Sequence, residues 1–529
     1  MRPARVPAFG ARWAALIAVA GGLVGVLAFP RYGFWPAAFV SVAALSVAVE
    51  GRRARTGAWL GYLYGAAFLL PLFHWTGVFV GPVPWLILSL AEAGFFALLG
   101  ALLPLLARLP VAPVWVGAGW VLEEALRDRL PFGGFPWGRL AFSQAASPLR
   151  WFAALGGAPL VTFAVAVAGA GLALAGRRPL PWRVRVAGLA TLVAVPLLGA
   201  LLSAPLAPAP DSHGRRLTVA VIQGGLPDRG LGFEDRAEQV LDNHVRQTLK
   251  LAADVRAGRT ARPDLVLWPE DASDVDPFQE PSAYAKIDAA VKAVRAPVLV
   301  GAILQGPGAD HRRNVGILWS PTTGPGARYT KRHPVPFGEY IPLRGLAEFV
   351  SSDAKLVTQD MVAGHGNGLL RGGPAPIGDV ICFEVAYDDL VRSSVAAGAQ
   401  LLVVQTNNAT FGHTAETYQQ LAMSRLRAVE SGRTVVQAAT TGKSAIIGPD
   451  GGVRQESGPL FRPDILVAQV PLRTGTTLAT RVGAWPEYLL TALAVAGAAA
   501  VAGLDRRARR KPIDDDASGT PVQEEMVGA

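Results

Sequence analysis

The chain holds a single cysteine, Cys382, at the end of the apolar run Val380-Ile381-Cys382-Phe383-Glu384. One cysteine excludes an intrachain disulfide and leaves two roles, an inert core thiol or a nucleophile. A free thiol has a pKa of about 8.5, so at neutral pH a nucleophilic cysteine needs a base beside it to take its proton. Two other segments carry candidate partners. Leu265-Val266-Leu267-Trp268-Pro269-Glu270-Asp271 reads as a buried strand that stops at Pro269 and presents Glu270. Partial desolvation there raises a carboxylate toward the pKa of a general base. In Tyr329-Thr330-Lys331-Arg332-His333-Pro334-Val335-Pro336-Phe337-Gly338-Glu339-Tyr340 the prolines fix the backbone and could aim Lys331 and Glu339 inward. Taken singly, each segment reads more readily as a core strand or a solvated loop. A thiol with a carboxylate base is the minimal equipment for covalent acyl transfer.

Such groups need a rigid frame, and residues 216–472 have the pattern of one. Short β-branched or apolar runs bounded by Gly, Pro or Asp predict strands at 217–223, 264–268, 297–304, 314–320, 380–383, 401–406, 434–439, 444–447 and 465–470. Helical periodicity appears near 235–256, 282–294 and 414–431. The alternation predicts a layered α/β domain with a largely buried sheet and the candidate residues at strand ends.

The rest of the chain is of another kind. Of its 529 residues 51% are hydrophobic and 17% charged, with a mean hydropathy of +0.31, too apolar for a soluble protein. Apolar runs at 13–29, 34–49, 58–80, 83–107, 110–126, 151–175, 184–203 and 484–504 predict a multi-pass α-helical membrane domain of about eight spans. Arginines crowd 50–57, 108–112, 176–183 and 505–511, which all fall on one side if the N-terminus is cytoplasmic. That is the positive-inside pattern. It places both termini in the cytoplasm, and the loop 127–150 and the segment from about 205 to 480 outside it. The net charge of +10 is then largely a topology signal, and no nucleic-acid partner is expected. The expected division is a membrane domain over 1–204 with seven spans, a Pro/Ala linker at 205–215 and the α/β domain at 216–472. Residues 473–504 return to the membrane as the last span, and 505–529 form a basic, then acidic, disordered tail.

Together with Thr406-Asn407-Asn408-Ala409-Thr410-Phe411-Gly412, the three chemical segments resemble the nitrilase, or carbon–nitrogen hydrolase, superfamily, in whose members Glu, Lys and Cys occur in this order. The resemblance covers about half of the chain. With the spans, Gly134-Phe135-Pro136-Trp137, Val335-Pro336-Phe337-Gly338-Glu339-Tyr340-Ile341-Pro342 and Arg481-Val482-Gly483-Ala484-Trp485-Pro486, nearly the whole chain resembles the apolipoprotein N-acyltransferase family of bacterial lipoprotein maturation.

The resemblance implies an extracytoplasmic α-β-β-α sandwich with Glu270, Lys331 and Cys382 as catalytic triad. Cys382 would take an acyl chain from a membrane phospholipid as a thioester and pass it to the α-amine of an S-diacylglyceryl cysteine on an apolipoprotein. Lys331 would stabilise the thiolate and the oxyanion. Glu339 and Glu384 match supporting carboxylates; Glu384 reads equally as a rim residue. Phe233 and Phe337 are candidates for an apolar lid, and read equally as core aromatics. Phe383 stands where the family often has Tyr, and Asn408 and Thr410 where many members have aspartate and an aromatic. These departures bear on the lid and the substrate pocket. The seven histidines are scattered without metal-ligand spacing, His74 being read as a packing group within a span, so no metal or other cofactor is expected. Two other readings stay open: a membrane-tethered amidase or nitrilase hydrolysing a small C–N bond, and a non-catalytic membrane scaffold.

Overall fold

A computed structural model describes residues 9–207, 214–226, 233–350, 355 and 357–510. Most of the expected 205–215 linker, and the expected tail beyond 510, lie outside the described residues. The N-terminal part is helical: α1 (Ala11–Val26), α2 (Ala37–Val49), α3 (Ala54–Leu72), α4 (Gly77–Val80), α5 (Pro82–Leu106), α6 (Ala112–Arg127), α7 (Ala153–Ala175) and α8 (Trp182–Leu206). The helices α9 (Phe233–Arg256), α10 (Pro281–Val294), α11 (Arg344–Val350), α12 (Asp388–Ala396), α13 (Glu416–Ser431) and α14 (Leu478–Val482) follow, and α15 (Trp485–Arg510) ends the described chain.

Among the described residues, four helices are long and apolar enough to cross a membrane: Pro82–Leu106, Pro148–Ala175, Trp182–Leu206 and Trp485–Arg507. The first two helices, α1 and α2, are apolar but shorter. In α6, Glu123, Glu124 and Arg127 interrupt the apolar run. Large apolar side chains, among them Leu189, Val193, Leu197 and Leu201 on α8, face outward, a surface suited to lipid rather than water. The run expected at 58–80 is broken: Pro71 sits in the last turn of α3, which ends at Leu72. His74, expected within a span, stands exposed in the turn that follows, edge-on to Trp85 at 5.3 Å. The helix α3 packs on α5 through Gly57 and Gly61, where an added Cβ would lie 2.2 Å from Gly100 O and 2.0 Å from Phe96 O. Small residues four apart let the two backbones touch.

The C-terminal part is built on two sheets. The first runs in the order β13 (Asp464–Pro471), β1 (Arg216–Gln223), β2 (Leu265–Leu267), β3 (Val298–Gln305), β4 (His311–Ser320), β5 (Gly324–Thr330), with β6 (Asp360–Met361) beside β4. The second runs β12 (Val453–Glu456), β11 (Ala445–Ile447), β10 (Val435–Ala439), β9 (Leu401–Thr406), β8 (Ile377–Ile381), β7 (Leu369–Leu370). The sheets face each other, with α9 and α10 outside the first and α12 and α13 outside the second. This is the expected α-β-β-α layering, in two sheets where the sequence pattern suggested one. Six short elements, β5, β6, β7, β12, α11 and α12, were not among those expected.

Direction is what matters for the site. The strands β1, β2 and β3 are parallel, and β5, two antiparallel steps beyond β3, runs the same way. In the second sheet β8, β9 and β10 are parallel. The segments after β2, β5, β8 and β9 therefore leave carboxyl ends of the two facing sheets. Gly316 on β4 permits the sheets to close: a Cβ there would lie 1.9 Å from Asp379 Oδ2 and 2.8 Å from Gln405 Oε1.

Gly316→Ala should therefore cost about 1–3 kcal/mol of overpacking. The expected result is a lowered Tm in detergent, with Gly94→Ala, where nothing lies within 4 Å, as an unaffected control.

Candidate active site

Four strand ends deliver the polar centre. After β2 the chain passes Trp268 and Pro269 to Glu270, which is 4% exposed. Lys331 follows β5 directly and is 2% exposed. Its Nζ lies 3.0 Å from Glu270 Oε1 and 2.8 Å from Glu339 Oε1. Glu339 is tied to its own loop, its Oε2 accepting from Val335 N at 2.7 Å. After β9, Asn407 N donates to Glu270 Oε2 at 2.9 Å, and Thr440 Oγ1 donates to Glu270 O at 3.1 Å. Glu270 is thus gripped by residues of both sheets.

Cys382 follows β8 and begins a 3-10 turn, Cys382–Ala386, with φ +52°. The expected strand 380–383 stops at Ile381 because this left-handed residue turns the chain out of the sheet. Asp271 (φ +52°) and Phe337 (φ +63°) share that conformation. Three non-glycine residues in the left-handed region, each costing about 1–3 kcal/mol, mark a centre held against local preference. The sulfur receives Thr406 Oγ1 at 3.4 Å and Gln420 Nε2 at 3.6 Å.

Electrostatics follow from burial and from these charges. Burial pushes the Cys382 thiol well above its ordinary value and Glu270 pushes it further, while Lys331 pulls it back. The resting sulfur is therefore held as a thiol. Burial disfavours the Lys331 ammonium, but Glu270 and Glu339 outweigh it and hold the lysine well above its ordinary value. Burial and the Glu270 charge raise Asp271 well above the carboxylate range, and Asp274 to about 7.

Glu384 is fully buried and not at a rim. Its Oε1 accepts from Tyr329 Oη (2.8 Å), Arg332 N (2.6 Å) and His333 N (3.1 Å), and its Oε2 from Ile381 N (2.8 Å). It fastens the lysine loop to the cysteine turn. Phe383, expected at the pocket, is 3% exposed and stacks on Trp137 (centroids 6.0 Å, planes 6° apart), with Phe135 at 5.4 Å. It is a wedge between the cysteine turn and the loop after α6. Phe337 is half exposed and meets Phe132 of that loop edge-on at 6.2 Å. Asn408 is buried against Glu416 and Gln420, and Thr410 is exposed. Phe233 opens α9, and its side chain lies outside the described residues.

Three participants escaped the sequence reading. Asn314 Nδ2 donates to the same oxygens as Lys331, 2.7 Å from Glu270 Oε1 and 3.2 Å from Glu339 Oε1. Its signal was a lone amide at the start of an apolar strand. Glu416 and Gln420 stand one turn apart on the buried face of α13, polar residues where amphipathic spacing expects apolar ones.

The junction with the helical part is also polar. Arg139, after α6, has its Nη1 2.9 Å from Asp388 Oδ1 and its Nε 3.2 Å from Asp128 Oδ2. Arg427 of α13 meets the same Asp388 oxygen at 2.7 Å and Glu430 at 2.5 Å. Trp137 Nε1 donates to Gln419 Oε1 at 2.7 Å.

Two facing sheets flanked by helices, with Glu, Lys and Cys at their carboxyl ends, define a nitrilase-type domain, and the carbon–nitrogen hydrolase family model matches residues 218–480. A second family model, the apolipoprotein N-acyltransferase N-terminal domain, matches 21–171. An apolipoprotein N-acyltransferase of Mycolicibacterium smegmatis is 40% identical, covering 91% of this chain and 83% of that relative. One from Geobacter metallireducens is 31% identical over 97% of this chain and 99% of its own. A solved amidase of the nitrilase superfamily from Nesterenkonia AN1 matches 52% of this chain and 97% of its own at 21% identity, with a TM-score of 0.38. The chain belongs to the apolipoprotein N-acyltransferase family.

One pH effect follows from the site. Burial raises Glu416 to about 8 from an ordinary 4.5, so between those values the folded chain binds more protons than the unfolded one. Stability from this group falls as pH rises through that window. The Tm of Glu416→Gln relative to the parent protein should therefore climb between pH 5 and 8; a difference constant with pH contradicts this.

Proposed function

We propose that Cys382, Glu270 and Lys331 catalyse a ping-pong acyl transfer between two membrane lipids, at the extracytoplasmic face of the membrane. The observation that carries this reading is the meeting of Glu270 and Lys331 in one buried centre, with the electrostatics of both acting on the Cys382 thiol. Glu270 takes the thiol proton as sulfur attacks the acyl ester of a phospholipid. The tetrahedral oxyanion forms beside the Lys331 ammonium, where a fixed charge in a dry site is most effective. The C–O bond breaks, the proton passes to the departing lysophospholipid oxygen, and the acyl chain stays on sulfur as a thioester. The α-amine of an S-diacylglyceryl cysteine, at the N-terminus of an apolipoprotein, then attacks the thioester. Glu270 accepts its proton, the C–S bond breaks, and the proton returns to sulfur. Glu339 and Asn314 position Lys331 and Glu270, and Glu384 holds the two loops in register.

The membrane helices give this chemistry its place. Both substrates keep their reacting groups at headgroup level, and lifting an acyl chain into water costs about 0.8 kcal/mol per CH₂. A centre resting on the helix ends avoids that cost. Arg52, Arg53, Arg55, Arg108, Arg177 and Arg178 lie at the helix ends remote from the α/β domain, which supports about eight spans with both termini cytoplasmic. At the other end Phe132, Phe337, Leu343 and Phe349 expose an apolar rim, suited to a lid dipping into the lipid surface and keeping water from the thioester.

The test uses purified full-length protein in phospholipid vesicles with a synthetic diacylglyceryl-cysteine peptide. The parent protein should N-acylate the peptide, Cys382→Ala should not, and Glu270→Gln should lose about 10²–10⁴ in rate. Transfer by Cys382→Ala, or turnover of a soluble amide without lipid in place of transfer, overturns the proposal.

A further inference from the structure

Behind the cysteine lies a polar chain whose direction is fixed. Thr406, Asn408, Glu416 and Gln420 are all buried, at 0%, 2%, 1% and 0% exposure. Asn408 Nδ2 lies 2.8 Å from Glu416 Oε2, 3.0 Å from Gln420 Oε1 and 3.3 Å from Thr406 Oγ1. Gln420 Oε1 also lies 2.9 Å from Thr406 Oγ1, and Gln420 Nε2 lies 3.6 Å from the sulfur.

Asn408 turns its NH₂ toward Glu416 Oε2, which makes Oε2 the accepting oxygen of the protonated carboxyl group. The second hydrogen of that NH₂ then meets Gln420 at an acceptor, which must be the amide oxygen. Gln420 is left with its own NH₂ facing Cys382. The remaining atom, Asn408 Oδ1, has no hydrogen-bond partner and lies where a Cβ on Gly442 would approach to 2.2 Å. An acceptor is left unpaired at less cost than a donor, so this too favours the stated orientation. Thr406 has one hydroxyl proton for two acceptors, the Gln420 oxygen and the sulfur. When it serves the amide, Gln420 is the side-chain donor that remains to the sulfur.

We infer that Gln420 is a catalytic residue, whose amide N–H holds the Cys382 sulfur as it becomes a thiolate, and that Asn408 and Glu416 are positioning residues that set the amide's direction. The inference rests on Cys382 being the nucleophile. It also deepens that reading, because sulfur bears charge twice, when the thiol is deprotonated and when the thioester breaks down. Lys331 faces the reacting centre but is shared between Glu270 and Glu339. An amide donor adds stabilisation without adding net charge. The charged groups acting on the sulfur at neutral pH are Glu270, which disfavours the thiolate, and Lys331, which favours it; Glu416 disfavours it only where it is ionised. Burial keeps Glu416 protonated at neutral pH, so its second oxygen accepts from Asn408 without placing another negative charge beside the sulfur.

The test is the pH dependence of alkylation by iodoacetamide, which reports on one site because the chain has one cysteine. Full-length protein in detergent is used, with N-acylation measured in parallel. Gln420→Met keeps the bulk and removes the donor, and should move the alkylation midpoint up by about one pH unit, about a tenfold loss of thiolate at a given pH. Glu416→Leu should shift it the same way, whereas Glu416→Gln, which retains an acceptor for Asn408, should restore it. An unchanged midpoint in Gln420→Met with an unchanged Tm overturns the inference, as does a Glu416→Gln shift equal to that of Glu416→Leu. Activity surviving in Cys382→Ala would instead overturn the nucleophile assignment, so the two failures are distinct.

Discussion

A lysine ammonium buried between two carboxylates governs the architecture of this chain. Taking such charges out of water costs several kcal/mol per ion after relaxation, and only close, fully hydrogen-bonded partners offset it. Lys331 has Glu270 and Glu339 within 3.0 Å, and Asn314 donates to both of the same oxygens. Those partners come from different places in the fold: the end of β2, the loop after β5 and the start of β4. Glu270 is also held from the second sheet by Asn407 N. The two sheets must therefore meet in one register with their carboxyl ends aligned. Gly316, which lets Asp379 and Gln405 approach the first sheet, answers the same demand. So does Glu384, whose four accepted hydrogen bonds tie the lysine loop to the cysteine turn.

The junction with the membrane helices extends this constraint. Phe383, next to Cys382, lies against Trp137 and Phe135, and Trp75 reaches Phe411 edge-on at 4.9 Å. Beneath the aromatics, Asp388 is shared by Arg139 from the loop after α6 and Arg427 from α13. That pairing outweighs burial and holds the Asp388 carboxyl well below its usual range. Apolar stacking and paired buried charge together fix the cysteine turn relative to the helices. Lipid substrates need such registration, because their reacting groups are set at one depth by the bilayer.

Much of this was legible from the sequence where side-chain type and periodicity were strong. The strand 401–406 was read to the residue, and the helices 235–256 and 282–294 to within two residues, because β-branched runs and amphipathic spacing leave little choice. The segments of the expected triad were legible because Cys382 has no competitor and Glu270 and Cys382 each follow an apolar strand, whereas Lys331 follows the polar β5 and is marked only by its proline-rich loop. What was not legible depended on contacts between distant segments. Asn314 and Gln420 are ordinary amides until the fold sets them beside Glu270 and Cys382. Phe383 looked like a pocket residue until the loop carrying Trp137 was seen to cover it. The third apolar run read as one span, but Pro71 ends its helix and leaves His74 exposed in a turn.

The central claim is that the Lys331 charge, held by Glu270 and Glu339, supports formation of the acyl-enzyme on Cys382. Single-turnover acylation of the purified protein by phospholipid, followed by intact mass, measures this step alone. The account predicts a mass increase of one acyl chain on the parent protein and a rate about 10²–10³ lower in Lys331→Met with the fold retained. Acylation of Lys331→Met at the parent rate, or an active parent protein that never carries the acyl mass, would contradict it.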